Sequence, residues 1–152
     1  MVNIEKKVEQ VNSCVETDDN ERECELVLYT KPEEFSFLTK LLLAITRNED
    51  NIYFQKWFLV TRFQVDNTFF TFEAIENTSG NIEALRTKNS MPINCKERVI
   101  VGKVLTSPRK LLTVAQEHPY NGTSAPIMAS LKKCQDWFNQ YVRMISPTLQ
   151  LP

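Results

Sequence analysis

Apolar and polar positions change their period several times along the chain, and each change marks an element. Cys24-Glu25-Leu26-Val27-Leu28-Tyr29-Thr30 is the first run with strand character. Lys31-Pro32-Glu33-Glu34 reads as a helix start, and Phe35, Leu38, Leu41, Leu42 and Ile45 recur at helical spacing to about Arg47. After the break at Asn48-Glu49-Asp50-Asn51, residues 53–63 and 68–75 are rich in aromatic and β-branched side chains, with turn chemistry at Val65-Asp66-Asn67 between them. That spacing predicts a β-hairpin. Because it is apolar on both faces in places, it belongs in the middle of a sheet. A turn at Glu76–Gly80 leads into a polar connection over 81–97 with room for one more strand. Arg98–Leu105 is the next strand, and Thr106 or Ser107 caps a helix that runs from Pro108 to His118.

The last pattern organises the rest. Ser124-Ala125-Pro126 opens a helical region that continues to about Ile145. In Lys132–Val142 a thiol, Cys134, precedes Trp137, Phe138, Tyr141, Val142 and Ile145, which share one helical face. Upstream strands and helices would pack against that face. Residues 1–23, acidic around Glu16–Glu21, show no such period and read as a flexible N-terminal arm; 24–147 read as a single α+β domain, and 148–152 as a tail.

Composition adds exclusions. A chain of 152 residues with 42% hydrophobic and 24% charged residues is ordinary for one soluble domain with a sizeable core. A formal net charge of −1 gives no general pull towards nucleic acid. No apolar run reaches the roughly 20 residues of a membrane span, and the N-terminus lacks the apolar core of a secretory signal. The expected address is cytoplasmic. The four cysteines are widely spaced with no CxxC, so neither a zinc site nor a disulfide framework is expected, and no cofactor is implied.

Cysteine nucleophiles act as thiolates, activated by a helix N-terminus and a histidine nearby. Cys134 supplies half of that arrangement. The one histidine, His118, closes the preceding helix beside Pro119, where such a residue reads as a cap or surface group. Cys134 also reads as a core thiol, since it shares its helix face with large aromatics. Lys132-Lys133 and Arg109-Lys110 read as solvated helix ends.

The order strand, aromatic hairpin, strand, helix, then Cys134-Gln135-Asp136-Trp137-Phe138, resembles the lecithin:retinol acyltransferase-like branch of the NlpC-type thiol hydrolase superfamily. The resemblance covers about residues 24–145. It implies a permuted papain-like fold: a central antiparallel sheet packed against helices, with Cys134 as candidate nucleophile. Lys56-Trp57 then stands where members carry His-Trp, and Thr71-Phe72-Glu73-Ala74 occupies the second strand. Trp57, Glu73, Gln135 and Trp137 become candidate cleft residues. A protonated lysine cannot accept the thiol proton. Three functions follow: a catalytically degenerate domain that binds a protein, peptide or lipid-like partner; an active thiol hydrolase or acyltransferase using Cys134 with His118 as rearranged base, oriented by Asp136 or Glu73; or an unrelated α+β interaction module. The surroundings of the Cys134 sulfur discriminate among them.

Overall fold

The hairpin predicted from its aromatic alternation forms the centre of a sheet. In the computed structural model, which describes residues 7–32, 55–125 and 130–152, six strands appear: β1 (Val8–Gln10), β2 (Arg22–Pro32), β3 (Gln55–Phe63), β4 (Thr68–Glu76), β5 (Ile82–Lys88) and β6 (Glu97–Thr106). They form one antiparallel sheet in the order β1-β5-β4-β3-β2-β6. A 3-10 turn, Val11–Ser13, follows β1, and two α-helices, α1 (Pro108–Gln116) and α2 (Ser130–Ile145), complete the described elements. This is an α+β domain. The helix expected from Phe35 to Ile45 lies outside the described residues, but Lys31 and Pro32, read as its start, close β2 instead.

Strand parity divides the sheet into two faces. Trp57, Leu59 and Phe63 of β3, Leu26 and Leu28 of β2 and Phe70, Phe72 and Ala74 of β4 point to the helix side and join Trp137, Phe138, Tyr141 and Val142 of α2 in one core. The opposite parity sends Val27, Phe58 and Val60 to the far face, and they too are buried. A crossing connection accounts for part of this. Residues 89–96 must pass β4, β3 and β2 to join β5 to β6. They leave by a hydrogen bond from Thr71 Oγ1 on the far face to Ser90 O (2.7 Å) and arrive by one from Lys96 N to Thr30 O (2.8 Å).

Local chemistry explains the ends. The hairpin turn places Asn67 at φ 55°, where asparagine is tolerated, and Asp66 Oδ1 accepts from Thr68 N at 3.2 Å. Helix α1 has Ser107 as N-cap, its hydroxyl accepting from Lys110 N at 3.1 Å, with Pro108 just inside. Against β2, β6 carries a bulge opposite Leu26/Val27. There Gly102 admits Leu149: a Cβ at Gly102 would stand 2.6 Å from Leu149 Cδ2.

The N-terminal segment departs most from expectation. Residues 7–21, read as an arm, belong to the folded body. β1 adds to the edge of β5, and Val11 and Cys14 are 0% and 8% exposed. The clasp is ionic. Arg86, 5% exposed at its side chain, donates to Glu16 Oε1 (2.9 Å) and Glu9 Oε2 (3.2 Å) and lies over the Phe70 ring. Gln116 Nε2 donates to the carbonyls of Val11 and Cys14.

Candidate functional site

Helix α2 packs on the helix side of β3 and β4 because its inward residues are aromatic at three- and four-residue spacing. Its described start is Ser130, which puts Cys134 in the second turn. The N-terminal dipole acts mainly within the first turn, so it gives that sulfur little help. Cys134 is partly buried and packs against the core cluster. None of the four cysteines is in a disulfide.

Next to the thiol, Gln135 is 5% exposed, and its Nε2 donates to the backbone carbonyl of Gln55 at 2.8 Å. Gln55 is buried on the helix side, where its Oε1 accepts from Thr30 Oγ1 at 2.6 Å. Its Nε2 has no hydrogen-bond partner among the described residues. This polar patch beneath the start of α2 was not anticipated. One signal was available: Gln55 falls at the same parity as the apolar Trp57, Leu59 and Phe63, a long polar side chain in an inward-facing row.

Lys56 faces the other way. Parity sends it to the far face, where its Nζ pairs with Glu73 Oε2 at 3.2 Å and lies 5.1 Å from the Phe58 ring centroid. Lys56 and Glu73 are thus brought to each other, and the sheet separates both from α2. The residue of this pair that faces the thiol helix is Trp57, and it is 2% exposed.

His118 is neither a surface group nor an available base. It is 3% exposed and stacks on Trp137 with ring centroids 4.6 Å apart and planes 8° apart. Tyr120 N donates to Nδ1 at 3.0 Å, so Nδ1 carries the lone pair and Nε2 the hydrogen. Nε2 donates to Trp137 O at 2.8 Å. Burial holds its pKa below the ordinary value of 6.5, which keeps the ring neutral. Both nitrogens are committed to backbone. The bonded carbonyl belongs to the residue three beyond Cys134, about 5 Å further along the helix axis.

The expected cleft residues are likewise structural. Trp137 is fully buried, its Nε1 donating to Asn121 Oδ1 at 2.9 Å. Trp57 and Gln135 are core and clasp, and Glu73 is on the far face. Asp136, considered as an orienting carboxylate, pairs with Lys132 on the helix surface at 3.1 Å. Two of the other thiols sit where the thiolate is disfavoured: burial, before other causes, pushes Cys14 up to about 11 and Cys24 to about 12.

Among the described residues no group of His, Cys, Asp and Glu could hold a metal ion, and no helix is long and apolar enough to cross a membrane. Comparison of this chain with profiles of known protein families, with curated proteins and with solved structures finds no match.

Proposed function

We propose that this chain is a catalytically degenerate relative of the permuted papain-like thiol hydrolases, acting as a binding or regulatory protein rather than as a catalyst. The observation that carries this reading is the commitment of both His118 nitrogens to the backbone. Attack by a cysteine needs a thiolate and a group to receive its proton. The imidazole has no free lone pair to offer, and Lys56 is paired with Glu73 across the sheet. The element order, with a hairpin before a cysteine-bearing helix, supports the kinship. The partner is of protein, peptide or lipid-like chemistry.

The test is alkylation of Cys134 by iodoacetamide as a function of pH, read peptide by peptide, alongside hydrolysis of an activated ester. The alkylation rate should keep climbing with pH above neutrality, without the early plateau of an activated thiolate. Ester turnover should be the same in wild type and Cys134→Ala. A rate plateau reached below pH ~7, with ester hydrolysis abolished by Cys134→Ala, would overturn the proposal.

A further inference from the structure

A concave site lies at the end of α2 far from Cys134. Met144 is ten residues beyond Cys134, about 15 Å along the helix axis. With Ile145 it forms one wall of a cleft of about 410 Å³, whose other walls include Val114 of α1 and Leu105 at the end of β6. The volume falls in the range of small-ligand sites, roughly 300–1,000 Å³. Leu105 is 78% exposed, an aliphatic side chain left at the rim of a cavity.

The charges of the cleft decide what fits it. Asp19 and Arg109 both line it, yet they form no ion pair with each other. Asp19 Oδ1 accepts from Ser107 Oγ at 3.0 Å, and its other oxygen has no hydrogen bond among the described residues. The Arg109 guanidinium has no hydrogen bond or ion pair among the described residues, its backbone N–H alone being used, by Asp18 O. Lys110, the third charge, is neutralised by Glu21. One carboxylate and one guanidinium therefore remain beside an apolar wall. A simple anion gains Arg109 but meets Asp19, and a simple cation has the reverse problem. A molecule carrying both charges, with one apolar branch, satisfies all of it.

We infer that the cleft between α1, the end of β6 and the end of α2 binds a free apolar α-amino acid as its zwitterion. The carboxylate meets Arg109, the ammonium meets Asp19, and the side chain lies against Leu105, Val114, Met144 and Ile145. The site is independent of the thiol reading, since it shares no residue with the Cys134 end of the helix.

The experiment is calorimetric titration of the full chain with L-leucine, L-methionine and L-phenylalanine. At least one should saturate a single site at millimolar concentration or below. For the best of the three, the deaminated and the decarboxylated analogue should each bind about tenfold more weakly, as should the amino acid to Arg109→Gln and Asp19→Asn. Val114→Arg, which fills the cleft, should abolish binding while circular dichroism reports an unchanged fold. Absence of saturation with all three amino acids overturns the inference. So does equal binding of either analogue, or wild-type affinity in the Arg109 and Asp19 variants.

Discussion

Replacing His118 separates a structural imidazole from a catalytic one. In His118→Ala two hydrogen bonds to backbone are lost, worth about 1 kcal/mol each. Tyr120 N, which donates to Nδ1 at 3.0 Å, loses its acceptor in a partly buried site. The stacking on Trp137 disappears, worth about 0.5–1.5 kcal/mol, and a cavity is left beside a fully buried indole. The total is about 3–5 kcal/mol, or roughly 10 °C in melting temperature for a chain of this size. His118→Gln keeps one donor and one acceptor and should recover part of the loss. The pH dependence has a definite sign. The folded-state pKa lies below 6.5, so the unfolded chain binds the extra proton first. The contribution is complete above pH 6.5 and is lost as pH falls towards the folded value, at up to about 1.4 kcal/mol per pH unit. Urea titrations from pH 7.5 to 5.5 should show that slope in wild type and its absence in the Gln variant. The reasoning fails if His118→Ala melts within about 1 kcal/mol of wild type, or if it slows Cys134 alkylation while leaving stability intact.

Three further outcomes follow from the charged groups. Arg86→Met strands Glu16, whose side chain is 12% exposed, and should cost about 3–5 kcal/mol at neutral pH, with hydrogen-exchange protection lost across 8–16; Glu16→Gln in the same background should restore part of it, and additive single-variant losses would contradict the clasp. Acid should loosen the same clasp, because the Glu9 carboxyl is held below its ordinary 4.5, first by the Cys14 thiol and also by Arg86, so its contribution is present above about pH 4.5 and fades below it. Lys56→His should change stability by less than about 1 kcal/mol, the pair with Glu73 being only partly buried and so a weak one. It should leave the Cys134 alkylation profile unchanged, and a faster thiol at neutral pH would mean that position 56 reaches the helix side after all.

The elements with a clean period were legible in the sequence. The hairpin, the strand before α1, a cap at Thr106 or Ser107 and the aromatic face of α2 were read from alternation, turn chemistry and helical spacing, and all are present, the cap at Ser107. Two things were not legible, for different reasons. The stretch 7–21 has too few apolar residues to show a period, and what fixes it is Arg86, about 70 residues away, so nothing local announces β1. The direction of Lys56 was hidden because β3 is buried on both faces: alternation inside an apolar run cannot say which parity faces the helix. The match to a His-Trp strand implied that the residue before Trp57 would meet the thiol. The fold turns Trp57 inward instead. The ion pair between β3 and β4 is what gives the orientation away, since Glu73 lies at the opposite parity to Phe72 and Ala74 of the core.

The polar atoms on the inner side of α2 fasten the helix at successive levels. Gln135 Nε2 reaches the carbonyl of Gln55 on β3 at 2.8 Å. Two residues on, Trp137 accepts from His118 through its carbonyl and donates through its indole to Asn121. A further turn on, Tyr141, fully buried, donates its hydroxyl to Leu111 O at 2.7 Å and ties the helix to α1. An active site needs side chains whose donors and lone pairs wait for a substrate. Here the same residue types are occupied by backbone carbonyls and, at Trp137, by the Asn121 side chain. Each satisfied bond avoids the cost of a buried polar group and removes a degree of freedom. Recognition chemistry is left to the groups this fastening does not use, Asp19 and Arg109 at the opposite end of the helix, where a carboxylate and a guanidinium share an apolar cleft without meeting.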